Sequence, residues 1–206
     1  GGHPCGALAS KIVARDMPFL IDSNLKQLRT CGINAIKSVL TKAIILLSRN
    51  MRAESLSILG VGGMGATLVI VIVRENCAFV ANVGDSLAYL FRKSKLSQLS
   101  EDHSVIGILL RTGDITPREA RYHPARGQLS QYIGALEEAN PFLCMVALKK
   151  NDRLLLCSDG LTGLVSEDEI VSILQDHADP NDACKELVET ANFYGGHDNV
   201  TALIVD

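Results

Sequence analysis

The sequence predicts an α+β fold: two antiparallel β-sheets packed face to face with pairs of helices outside, a layered α-β-β-α sandwich carrying a small flap subdomain. Three observations lead there. The elements come in blocks, helices first, then strands, then helices, then a strand, rather than in alternation. Links between successive strand-like runs are short and polar, too short for the crossovers that parallel pairing needs. Finally, "TLVIVIV" (Thr67 to Val73) is nearly all β-branched, which predicts a core strand buried on both faces.

Each element follows from its local pattern. Cys5 to Met17 places Leu8, Ile12 and Val13 at helical spacing, and Pro18 is expected to end that helix. Asn24 to Asn50 is a long amphipathic run with Leu25, Leu28, Ile36, Leu40 and Ile44 on one stripe. Gly32 inside it costs about 1 kcal/mol and marks a kink or break. Strands are then expected at Thr67–Val73, Cys77–Val83 and Leu87–Phe91. Residues 101–139 mix Gly, Pro and charge, which suits short helices in a flap. Strands resume at Leu143–Leu148 and Arg153–Cys157. Helices follow at Glu167–Gln175, with Ser166 as N-cap, and at Asn181–Asn192. Asn199 to Asp206 reads as the last strand.

The 206 residues suit one large domain. With 47% hydrophobic and 21% charged residues there is material for a sizeable core. A net charge of -3, no Trp and 4% aromatics argue against nucleic acid as a partner, since neither a basic track nor stacking platforms can be built. No stretch approaches the roughly 18 uninterrupted apolar residues of a membrane span; the nearest, Ile33 to Leu47, carries Lys37 and Lys42. Six Cys without paired spacing favour a reduced, cytoplasmic compartment. The chain opens "GGHPCGALAS" with no Met and no signal-like segment, which reads as a cut before Gly1.

The glycines of "LGVGGMGATLVIVIV" (Leu59 to Val73) do not form a phosphate-binding loop. Ala66-Thr67 stands where Lys-Ser/Thr is needed, and a strand rather than a helix follows. Flexible entry to a core strand is the better reading. No G-x-S-x-G, H-E-x-x-H or G-x-G-x-x-G occurs, and His103 and His123 read as polar flap or loop contacts rather than ligands.

Three acids stand out by position. Asp85 follows the strand ending at Val83, Asp159 follows the strand ending at Cys157, and Asp198 precedes the final strand. Each neighbours or lies close to Gly, and taken singly each is an ordinary turn residue. Taken together they can converge at one sheet end. Converging carboxylates repel and resist desolvation unless a cation neutralises them. An all-oxygen set suits Mg²⁺ or Mn²⁺ rather than Zn²⁺.

In order along the chain, "GGH", "GMGATLV", "ANVGDSLAYL", "LSEDHS", "GDITPREARYHPARGQLSQYIGA", "DRLLLCSDGLTGLVSEDEI" and "GGHDNVTALIVD" resemble successive motifs of the metal-dependent protein phosphatases of type 2C, in their bacterial form. The resemblance spans essentially the whole chain. It implies hydrolysis of phosphoserine and phosphothreonine on proteins by a metal-activated water, with two Mg²⁺ or Mn²⁺ ions and a weaker third. Asp159 and Asp198 would hold the first ion, Asp85 and Asp159 the third, and Gly160 and Asn199 would support the turns that aim them. Partners would be phosphorylated proteins and their Ser/Thr kinases. The family's bridging Asp would lie just before Gly1, so residues 1–206 read as one catalytic domain lacking its N-terminal segment and inactive alone. The alternative is a non-catalytic binding or adaptor module on the same fold; three uncompensated acids argue for the enzyme.

Overall fold

A computed structural model describes residues 5–26, 32–59 and 63–206. Gly1 to His3, Leu28 and the glycines Gly60 and Gly62 lie outside them. Helix α1 spans Gly6–Leu25 and does not stop at Pro18. Its buried face, Ala9, Ile12, Val13, Met17 and Ile21, keeps helical spacing across the proline, and that continuous burial offsets the roughly 3 kcal/mol a mid-helix proline costs. The helix expected over Asn24–Asn50 is therefore two: Leu25 closes α1, and α2 runs Ile33–Leu59 after Gly32, whose carbonyl accepts from the Ala35 and Ile36 amides. Ile36, Leu40, Ile44, Leu47 and Met51 are its buried stripe.

The strands are β1 (Leu68–Arg74), β2 (Cys77–Val83), β3 (Leu87–Arg92), β4 (Lys95–Gln98), β5 (Phe142–Ala147), β6 (Arg153–Cys157) and β7 (Ala202–Val205). Among the described residues they form two wholly antiparallel sheets, ordered β1-β2-β5 and β4-β3-β6-β7. Strand β1 is not buried on both faces as its composition predicts. It is a sheet edge, half-buried with Val73 49% exposed, and the central β2 takes the deep position instead. Residue type sets what a strand can bury; its place in the sheet order sets what it does bury.

Period-two alternation builds the layers. On β2, Phe79, Ala81 and Val83 pack against α1 and α2. Ala78 of the same strand meets Leu90 and Leu154 of the second sheet, forming the layer between sheets. Leu87, Tyr89, Phe91, Leu155 and Cys157 point the other way, onto α6 (Glu167–Asp176) and α7 (Pro180–Phe193). The α-β-β-α order expected from the sequence is the one observed.

One pole is locked by charge. Arg92 is bidentate to the buried Asp152 carboxylate, with Nε–Oδ1 at 2.7 Å. The buried Arg153 guanidinium donates to Asp206 and to the carbonyls of Leu174, His177 and Ala178, tying β6 and the chain end to the close of α6. The other pole carries the acids.

Candidate active site

Strand register decides where the three acids fall. Leu87 of β3 pairs with Cys157 of β6, and Cys157 pairs with Ala202 of β7. Asp85 lies two residues before Leu87, Asp159 two after Cys157, and Asp198 four before Ala202. All three therefore emerge at the same end of the four-stranded sheet.

Their charges act on one another. Burial, then the Asp159 carboxylate, pushes the Asp85 pKa up to about 6, and Asp102 adds to the effect. The Asp159 pKa is raised as well, first by burial and then by Asp198. Although Asp159 as a residue is solvent-exposed at the strand end, its carboxyl is crowded by protein atoms, so desolvation still leads. Beneath it the buried Cys157 thiol is pushed up to about 12 by burial and by the Asp159 charge, which makes it an inert core group rather than a nucleophile. None of the three acids has an ion-pair partner among the described residues. Nor, among those residues, do three His, Cys, Asp or Glu side chains close into one metal-holding group. Electrostatically the acids form a row, Asp102, Asp85, Asp159 and Asp198, in which Asp85 and Asp159 each act on two neighbours. Asp102 escaped the sequence reading. Its Oδ1 accepts the Ser104 amide at 2.7 Å, the sort of local turn that hides an acid's wider role.

The turns that aim these carboxylates are tightly built. Asp159 opens the short helix α5 (Asp159–Thr162). Ser158 before it stitches that turn to the lead-in of β7: its amide donates to the Thr201 carbonyl at 3.1 Å, its Oγ donates to the Asn199 carbonyl at 3.1 Å, and the Thr201 amide donates back to Oγ at 3.0 Å. Asn199 turns its amide onto Asp198 Oδ1 at 2.7 Å. Gly160 lies flat on the Asn199 carbonyl, so a Cβ there would collide with that oxygen. Gly160 and Asn199, both singled out in the sequence, thus meet, whereas the bridging role of Ser158 gave no sequence signal beyond adjacency to Asp159.

At Asp85 the preceding Gly84 has φ +108°, and a Cβ there would come within 2.5 Å of Thr67 Cγ2. Only glycine passes this corner. Buried Asn82 bridges Gly84 and Glu101, and Thr67 Oγ1 and Ser86 Oγ are paired at 2.8 Å. Residues 101–139 hold α3 (Val105–Thr112), capped by Ser104 and Gly113, and α4 (Pro117–Ala120) with a Thr116/Glu119 capping box. Bridges Ser104–Leu129 and Ala66–Ile133 anchor the segment. His103 is a buried polar contact, as expected, and His123 Nδ1 accepts the Ala125 amide within its own loop.

A profile of the family described as Protein phosphatase 2C matches residues 7–106 and 126–200. The chain belongs to that family. It is 36% identical to the serine/threonine phosphatase stp of Listeria monocytogenes serotype 4b over 206 residues, covering 100% of this chain and 81% of the relative. Serine/threonine phosphatase Stp1 from Staphylococcus aureus superposes with a TM-score of 0.87 at 32% identity, over 99% of this chain and 78% of that one. The catalytic domain of the serine threonine protein phosphatase PstP, solved in complex with two manganese ions, superposes with a TM-score of 0.79 at 30% identity, over 100% and 84%. Between its two matched stretches the profile skips 107–125, which lies within residues 101–139.

Proposed function

We propose that this chain is a Mg²⁺- or Mn²⁺-dependent protein phosphatase that hydrolyses phosphoserine and phosphothreonine. Within a family of such enzymes, the observation that carries the reading is the row of unpaired, mutually repelling carboxylates at one sheet end. Holding them there costs stability unless a cation offsets the repulsion, and oxygen-only donors select a hard divalent ion. A binding module on this fold has no use for that arrangement.

Asp159 and Asp198 would hold the first ion, and Asp85 with Asp159 a further one, with Asp102 deepening the negative field behind Asp85. When bound, such ions supply the positive charge that polarises the phosphoryl group and makes an attacking water acidic enough to react near neutral pH. The chain's own residues do the rest. Ser158, Gly160 and Asn199 fix the separation of the Asp159 and Asp198 turns. Gly84 and its hydrogen-bonded neighbours fix Asp85. The apolar layer under β3 and β6 keeps that sheet end rigid and low in dielectric, where charges act more strongly.

We further infer that residues 101–139 act as a flap over this end of a single catalytic domain, and that a Ser/Thr kinase supplies the phosphorylated substrates in the cytoplasm. Among the described residues no helix is long and apolar enough to cross a membrane. The test is phosphate release from a phosphothreonine peptide by the full-length protein, in Mn²⁺ and in excess EDTA. Release that disappears with EDTA and returns with Mn²⁺ is expected; equal release in both overturns the proposal.

A further inference from the structure

The corner that carries Asp85 is held from both sides by one residue outside the acid row. His103 is 3% exposed. Its ring Nδ1 accepts the Gly84 amide at 3.3 Å, and its own amide donates to the Gly84 carbonyl at 3.1 Å. Its carbonyl in turn accepts from the Ser130 amide at 2.8 Å and from Ser130 Oγ at 2.6 Å. Backbone and side chain of His103 therefore bracket Gly84, the residue before Asp85, and its carbonyl grips the returning end of the flap segment.

The tautomer follows from the contacts. Nδ1 receives a proton, so it must be bare, and the ring proton sits on Nε2. Nε2 lies 3.7 Å from Glu101 Oε1, on the side where a cavity of about 480 Å³ opens between Lys37, Gln131 and Asn140. Burial lowers the His103 pKa, which keeps the ring in the neutral form this bond needs.

We infer that His103 is a positioning residue: it orients the Gly84–Asp85 corner, and hence the Asp85 carboxylate toward Asp159, and couples that corner to the flap through Ser130. This inference rests on the metal-dependent reading above. Asp85 has φ-permissive glycine before it and no ion-pair partner of its own, so without the ring the corner relaxes away from its repelling neighbour Asp159. A divalent ion must then restore the geometry out of its own binding energy, and affinity falls. Residues that orient ligands in this way are worth about 10–100-fold in metal affinity.

The experiment compares wild type, His103→Ala and His103→Asn by Mn²⁺ titration calorimetry and by the Mn²⁺ dependence of p-nitrophenyl phosphate turnover. Asn keeps a side-chain acceptor near the Nδ1 position; Ala does not. The expected result is a rise of about tenfold or more in the Mn²⁺ concentration that half-saturates the weaker site in His103→Ala. At saturating Mn²⁺, kcat should return to near the wild-type value, and His103→Asn should lie within a few-fold of wild type throughout. If His103→Ala does not fold, His103→Gln, whose acceptor sits one methylene too far, takes its place with the same expectation. A Mn²⁺ response unchanged from wild type, or a loss that saturating Mn²⁺ and the Asn variant both fail to repair, overturns the positioning role. A wild type that needs no divalent ion refutes the functional reading instead, so the two failures are distinct.

Discussion

Replacing Gly160 with alanine separates the two acids of the first ion site without touching either. The residue has ordinary helical geometry at the start of α5, so backbone strain is not the issue. The obstacle is the Asn199 main chain: the new methyl would collide with the Asn199 carbonyl oxygen and lie 3.1 Å from its carbonyl carbon. Both neighbours are backbone and cannot rotate away. The Ser158–Asn199–Thr201 hydrogen bonds hold the two turns together, so relief requires them to part. Overpacking of this kind costs about 1–3 kcal/mol, or roughly 2–12 °C of Tm in a chain of this size. The effect on turnover should be larger, since displacement of reacting groups by about 1 Å can cost about 100-fold. Thermal unfolding and kcat against Mn²⁺ concentration are the assays. The expected outcome is modest destabilisation with at least a tenfold loss of kcat that saturating Mn²⁺ does not repair. A folded variant with wild-type kcat would show that the spacing of the Asp159 and Asp198 turns does not govern the chemistry.

Asp159→Asn should nearly abolish Mn²⁺-dependent turnover, whereas Asp85→Asn should reduce it less, because Asp159 would serve both proposed ions and Asp85 only one; equal, mild losses would contradict that ranking. The Asp85 pKa stands at about 6 in the folded state against about 3.9 unfolded, so the native state binds the proton more tightly. In EDTA, stability should therefore fall as pH rises from about 4 to 6 and stay low above it. Asp85→Asn should exceed wild type by up to about 3 kcal/mol above pH 6 and by nothing near pH 4, as read by urea unfolding. Arg153→Met leaves three carbonyls without their donor and frees the half-exposed Asp206, and should cost about 1–3 kcal/mol, seen as a Tm drop at little cost to kcat at 25 °C. Hydrogen exchange across 106–132 should outpace that of β2, since the segment has few buried anchors.

Legibility in the sequence followed the range of the interaction concerned. Strands β2 and β6 matched their expected bounds, and the Ser166 cap opened α6, because alternation and capping are local signals. Pro18 misled because the apolar face continues beyond it to Ile21, so tertiary burial outweighed a local breaker. The depth of β1 was misjudged because sheet order is not written in one strand's composition. The convergence of Asp85, Asp159 and Asp198 could be suspected from strand ends, but only the Leu87–Cys157–Ala202 register brings them to one edge. Asp102, Ser158 and His103 were missed as partners of that edge because their contacts run between segments 17 to 43 residues apart in the chain.

Crystals of the protein soaked in Mn²⁺ and measured at the manganese absorption edge test the central claim most directly. An anomalous peak touching the carboxylates of both Asp159 and Asp198 is expected, absent from Asp159→Asn crystals. Mn²⁺-dependent phosphatase activity in solution, with peaks only at sites that touch neither residue, would contradict it.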